Sequence, residues 1–182
     1  MNEFYTQLTR QLQALTQDSP VLLSNLSNAA ALLYQSIPDI NWAGFYLARD
    51  RELLLGPFGG KPACLRIPFE KGVCGQAARS LETVVVSDVH AFPGHIACDA
   101  ASRSEIVLPI LRGGQLTAVL DIDSPFPGRF GPEDAQGLEQ CAAILAGLPG
   151  WENLLKALLN HNPTLNVGFA ERPYKGHYSS ST

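Results

Sequence analysis

Helical periodicity at both ends of the chain, with hairpin signals between them, predicts an α+β domain: a central antiparallel β-sheet flanked by N- and C-terminal helices. Apolar residues recur at helical spacing near residues 4–15, 22–33 and 133–148, whereas the apolar runs Ile106 to Leu111 and Leu116 to Asp123 are joined by Arg112-Gly113-Gly114-Gln115, a tight-turn sequence.

Taken in order, Phe4, Leu8, Leu12 and Leu15 make the stripe of a first helix, and Leu22, Leu23, Leu26, Ala29, Ala30 and Leu33 that of a second. Asp18-Ser19-Pro20 offers a cap with Pro at the first helical position, and Ile37-Pro38-Asp39 stops the second helix. The aromatic-rich Ile40 to Leu47 reads as a strand, with Glu52 to Leu55 as a shorter partner across Arg49-Asp50-Arg51. Gly56 to Pro62 is turn chemistry throughout, so a change of direction is expected before a strand that opens at Cys64. Gly72 to Ser80 suits a short helix and Thr83 to Val86 a buried strand, followed by a long polar loop before Ile106. After the helix near Glu133 to Leu148, residues 151–160 have Trp151, Leu154, Leu155, Leu158 and Leu159 on one side, and the polar stretch from His161 reads as a loose tail. The domain is therefore assigned to residues 1–148 and a C-terminal extension to 149–182.

Composition bounds the function. With 182 residues, 46% of them apolar, the chain suits one core and not two. A net charge of −4 with scattered Lys and Arg gives no footprint for nucleic acid or an anionic membrane, and no apolar run reaches the length of a membrane span. The N-terminus shows no basic start followed by a hydrophobic run, so a cytoplasmic location is expected. There a permanent disulfide framework is disfavoured, and cysteines point to structural thiols, metal ligands or catalytic groups.

Three of the four cysteines, Cys64, Cys74 and Cys98, fall between residues 64 and 98. Cys141 shares the stripe of Leu138, Ala142 and Leu145 and is assigned to the core. Cys98 sits in Pro93-Gly94-His95-Ile96-Ala97-Cys98-Asp99, where no periodicity calls for an apolar residue. Cys74 lies near a helix N-terminus, whose partial positive charge lowers a thiol pKa. His90 and His95 could join cysteines around zinc, but no C-x-x-C spacing occurs.

Asp121 and Asp123 alternate onto one face of their strand, roughly 6 to 7 Å apart. Two carboxylates beside a core are costly unless they bind something. Whether Glu105 joins them depends on hairpin register. A two-residue turn at Gly113-Gly114 would set it opposite Ile122, on the wrong face, and a three-residue loop opposite Asp123.

Gly56 to Cys64, Lys71-Gly72-Val73-Cys74-Gly75, the run from Ser87 to Asp99 (SDVHAFPGHIACD) and Val119 to Pro125 closely resemble the free methionine-(R)-sulfoxide reductases, enzymes built on a GAF domain. The resemblance spans residues 1 to about 148. It implies a homodimer that reduces the free amino acid oxide through thiol, sulfenic acid and disulfide states. Such chemistry requires no bound cofactor or metal, and an external dithiol such as thioredoxin is the expected reductant. It further implies that Cys98 is the attacking cysteine, that Cys64 is the first choice as resolving partner, and that Cys74 is a third redox cysteine. By the same resemblance Glu105, Asp121 and Asp123 are acidic site residues, and Trp42 and Tyr46 line the pocket; because grouped carboxylates raise one another's pKa, Glu105 is expected to be the proton donor and Asp121 and Asp123 to contact the substrate ammonium. The three-residue register follows from the resemblance. Carboxylates near Cys98 oppose its ionisation, and Arg103, His95 or the substrate's ammonium are the candidates to offset them. The rival expectation is a non-catalytic GAF sensor binding a small molecule in the same pocket.

Overall fold

A computed structural model describes residues 2–94 and 99–159. Six antiparallel strands form one sheet in the order β3-β2-β1-β6-β5-β4: β1 (Trp42–Arg49), β2 (Glu52–Gly60), β3 (Arg66–Pro68), β4 (Val84–Val86), β5 (Ser104–Arg112) and β6 (Gln115–Ser124). The helices are α1 (Glu3–Thr16), α2 (Leu22–Ser36), α3 (Gly72–Ser80), α4 (Pro132–Ala146) and α5 (Trp151–Leu159), with one 3₁₀ turn at Val89–Ala91. The predicted α+β arrangement is the one found. No described helix is long and apolar enough to cross a membrane.

Side chains alternate across the strands, so the sheet has two unlike faces. Ala43, Phe45 and Leu47 of β1, Ile106, Leu108 and Ile110 of β5 and Ala118, Leu120 and Ile122 of β6 join α1, α2, α4 and α5 in the larger core. The opposite face carries Trp42, Tyr46, Val107 and Val119, covered by α3 through Val73, Cys74, Ala77 and Ala78.

Several local expectations are corrected by packing. The buried stripe of α1 is Tyr5, Leu8 and Leu12, with Leu15 exposed, and the Tyr5 hydroxyl donates to Asp134 of α4 (2.5 Å). Leu23 of α2 also points outward. Pro20 is not the first residue of α2. Val21 occupies the N-cap with no side-chain bond, and the Ser19 hydroxyl accepts from the Val21 amide instead (3.3 Å).

Gly56 to Gly60 does not turn the chain, because β2 runs on through it, pairing Trp42 with Gly60 and Gly44 with Phe58. A bulge between Gly44 and Tyr46 leaves Gly56 and Pro57 opposite Phe45 alone, so the missing N–H of Pro57 breaks no regular ladder. Gly59 is needed for close approach: a Cβ there would lie 2.8 Å from Tyr34. Cys64 consequently does not begin a strand; it lies in the connector before β3, half-buried.

The β5–β6 hairpin resolves the register in an unforeseen way. Arg112 pairs with Gln115, so the turn has two residues, Gly113 and Gly114, both at positive φ. Yet Ile110 pairs with Ala118 and Glu105 with Asp123. A β-bulge at Thr117 supplies the extra residue, and its hydroxyl donates to the Ile110 carbonyl (2.9 Å). The expected three-residue loop is wrong, and the pairing it was invoked to explain is right.

Cys141 is buried in the larger core, as its stripe predicts. Beyond α4, Trp151 is fully buried in the same core and its indole N–H donates to the Leu145 carbonyl (3.0 Å). Arg112 donates to the carbonyls of Ala146 (2.6 Å) and Leu148 (3.1 Å) and pairs with Glu152 (2.8 Å), fixing the turn into α5. The expected tail from His161 lies outside the described residues.

Candidate active site

The register places a row of polar groups across the centre of the α3 face. Glu105 of β5 faces Asp123 of β6, which faces Trp42 of β1; one step along, Val107 faces Asp121, which faces Gly44. Glu105 and Asp121 are both 6% exposed, which decides that they are interior groups and not a solvated strand end. One pocket is lined by Glu105, Asp121, Asp123, Trp42, Tyr46 and Cys74, six of the eight residues proposed from sequence.

Aromatic rings form one wall. Trp42 stacks against Tyr46 (centroids 5.8 Å apart) and on Phe58 (5.4 Å), and its indole N–H donates to the Lys61 carbonyl (3.1 Å). Gly44 makes this possible, since a Cβ there would lie 2.4 Å from the Phe58 Cβ and 2.6 Å from the Trp42 ring. The wall is aromatic and closely packed.

The floor is acidic and dry. Burial first, then the neighbouring charges of Asp121 and Asp123, push the Glu105 carboxyl well above the ordinary range. Burial likewise raises Asp121 to about 7, and burial followed by the charges of Asp121 and Asp99 raises Asp123 well above the usual value. Burial and mutual repulsion thus favour the protonated form within this cluster, and one of its buried oxygens, Asp121 Oδ1, has no hydrogen-bond partner within the described residues. Such a floor can give a proton to a developing oxyanion and accept hydrogen bonds from a cation.

Cys74 departs from expectation. Its helix position suggests a lowered pKa, but burial first, and then the charges of Asp121, Glu105 and Asp123, raise it well above the usual thiol value. The local dipole loses to desolvation and three acids. Cys74 is a free thiol with Sγ 3.8 Å from Glu105 Oε1. The ligating atoms of Cys74, Glu105 and Asp121 lie within 4.8 Å of one another, making this corner the place among the described residues where a metal ion could be held.

Cys64 is disulfide-bonded, whereas Cys74 and Cys141 are free. Cys98 and His95 lie outside the described residues. The connector bearing Cys64 does border the pocket, through Pro62 and Ala63.

Three residues were not singled out from sequence. Asp99 and Ser102 line the pocket, and Asn41, next to Trp42, donates to both: Nδ2 to Asp99 Oδ2 (3.1 Å) and to Ser102 Oγ (3.0 Å). Partial burial of Asp99 is outweighed by the Ala101 amide, Lys61 and Asn41, which hold its carboxyl below the usual range. Its place beside Cys98 in the motif was the available signal.

Residues 1–147 match the GAF domain family. The chain is 54% identical over 143 residues to the free methionine-R-sulfoxide reductase of Escherichia coli (strain K12), covering 79% of this chain and 87% of that protein. It superposes on the free methionine-R-sulfoxide reductase of Neisseria meningitidis in complex with its substrate with a TM-score of 0.79 at 40% identity, covering 85% and 94% of the two chains. The reduced form of the fRMsr of Staphylococcus aureus gives a TM-score of 0.76 at 49% identity, covering 78% and 92%.

Proposed function

Because the chain belongs to the GAF-domain family of free methionine-R-sulfoxide reductases, we propose that it reduces free L-methionine (R)-S-oxide to L-methionine through its own thiols. The observation that carries this reading is the Glu105–Asp121–Asp123 group facing Trp42, with Glu105 and Asp121 buried and burial raising the Glu105 carboxyl well above its ordinary range.

The Cys98 thiolate attacks the sulfoxide sulfur while Glu105 protonates the departing oxygen, because charge builds there as the S–O bond weakens. The protonated oxygen leaves as water as the Cys98–methionine S–S bond forms; water then attacks the Cys98 sulfur, methionine departs with the electron pair of the S–S bond, a proton returns to the acidic cluster, and Cys98 becomes a sulfenic acid. The Cys64 thiol then attacks the Cys98 sulfur, water departs, and a disulfide remains. An external dithiol, thioredoxin, restores both thiols by exchange. The two electrons come from thiols throughout, so the chemistry requires no bound cofactor or metal.

The disulfide-bonded state of Cys64 supports it as a resolving cysteine, whereas Cys74 and Cys141 are free thiols. Cys74 acts on the proton donor instead: its buried thiol stays protonated and touches Glu105. Asp121 and Asp123 receive the substrate ammonium, whose charge offsets theirs. Trp42 and Tyr46 enclose the S-methyl end. The family resemblance adds a homodimer, and the cytoplasmic setting expected from the sequence is one where thioredoxin is available.

The test is NADPH consumption with thioredoxin, thioredoxin reductase and free methionine-(R)-sulfoxide. Wild type is expected to turn over, Cys98→Ser to be inactive, and Glu105→Gln to lose about 10²- to 10⁴-fold in kcat, the range for a positioned general acid. Substrate binding without turnover would restore the sensor reading.

A further inference from the structure

Lys61, Asn41 and Asp99 come from three separate segments and meet at the pocket rim. Asp99 accepts from Asn41 Nδ2 (3.1 Å), from the Ala101 amide (2.9 Å) and from Lys61 Nζ (3.3 Å). Asn41 is anchored at the start of β1, its amide donating to the Asp123 carbonyl (2.9 Å), and its side chain also holds Ser102. Lys61 is fixed at its backbone by the Trp42 indole. In sequence, Lys61 precedes Cys64 by three residues and Asp99 follows Cys98 directly. The Asp99 carboxylate thus ties the connector that carries Cys64 to the chain that leaves Cys98, and pins both to the strand that carries Trp42.

We propose that Asp99 is a positioning residue for disulfide closure: gripped by Asn41, Ala101 and Lys61, it holds the two cysteine-bearing segments together so that Cys64 reaches the Cys98 sulfenic acid. The inference rests on the reductase reading above and concerns a later step than substrate attack. Asp99 is not required to touch the reacting atoms. Its side chain is 13% exposed while that of Lys61 is 68% exposed, so the Asn41 side of the grip is dry and the Lys61 side is open to salt. A small misplacement of two reacting groups lowers a unimolecular rate steeply, which is why a clamp remote from the chemistry has leverage on closure.

The experiment separates the two phases in the full-length reduced protein. Methionine release in a single turnover reports attack, and loss of a sulfenic acid trappable by a cyclic dione reports closure. Asp99→Asn is expected to slow closure about tenfold, and by more than it slows methionine release, as expected when a charge-assisted grip is lost. Lys61→Met should slow closure about threefold, in keeping with a half-exposed ion pair, and Lys61→Arg should restore it. Added salt should bring wild type down toward Lys61→Met and leave that variant nearly unchanged.

Closure at wild-type rate in both Asp99→Asn and Lys61→Met would overturn the proposal, as would equal slowing of release and closure. Should Asp99→Asn not fold, Lys61→Met and its salt response, which touch an exposed side chain, decide the matter alone. Failure of wild type to release methionine would instead overturn the functional reading, so the two failures are distinguishable.

Discussion

The two faces of the central sheet use alternate residues of the same strands for opposite purposes. On β6, Leu120 and Ile122 are fully buried among helices α1, α2 and α4, while their neighbours Asp121 and Asp123 face α3 across the pocket. One face is stabilised by apolar area removed from water. The other confines carboxyl groups that would be more stable dissolved. A strand buried on both sides therefore carries stability on one parity and chemistry on the other, and a single-residue shift in pairing would exchange them.

The bulge at Thr117 tests that contrast most severely. Deleting Thr117 removes the extra residue, so either the Gly113-Gly114 turn or the pairing of Glu105 with Asp123 must be given up. The expected outcome is loss of cooperative thermal unfolding, followed by circular dichroism, together with loss of turnover. A folded deletion variant with wild-type kcat would show that the two faces do not depend on this bulge.

Adjacent residues should respond with opposite signs. Ile122→Ala is expected to destabilise the protein by about 2–5 kcal/mol, because a packed core site cannot collapse around the lost volume. Asp121→Asn is expected to raise stability at neutral pH while lowering kcat/KM, since it removes a buried acid with an unsatisfied oxygen. Chemical denaturation of the pair checks this, and destabilisation by both would break the contrast.

The smallest effect is the pH dependence of that difference. Asp121 has a folded pKa of about 7, above the ordinary value of about 4 for the unfolded chain. The folded state therefore binds the proton more tightly, and stability falls as pH rises between roughly 4 and 7, then levels. The advantage of Asp121→Asn over wild type should grow across this window, as read from thermal midpoints. A difference that is flat with pH would mean that burial does not raise this acid.

Much of this was legible in sequence because it is local. The periods of α1 to α5, the stops at Ile37 and the hairpin at Gly113-Gly114 follow from side-chain spacing and turn conformations that any reader of the chain can apply. Gly56 to Gly60 misled because glycine marks both turns and close approach. Only the packing of Tyr34 against Gly59 and of Phe58 beside Gly44 shows which applies. Asp99 was overlooked because an exposed-looking loop acid gains its meaning from partners at positions 41 and 61.

By itself the sequence determined the class of fold, the family motifs and the parity that puts Asp121 and Asp123 on one face. Tertiary structure decided that Glu105 joins them, because a bulge stabilised by the Thr117 hydroxyl offsets a two-residue turn. It also decided that Cys74 is a raised thiol and not an activated one. The helix N-terminus acts over a turn of backbone, whereas burial and the carboxyl groups of two other strands, Glu105 and Asp121 within 4.8 Å, act in a low dielectric and outweigh it.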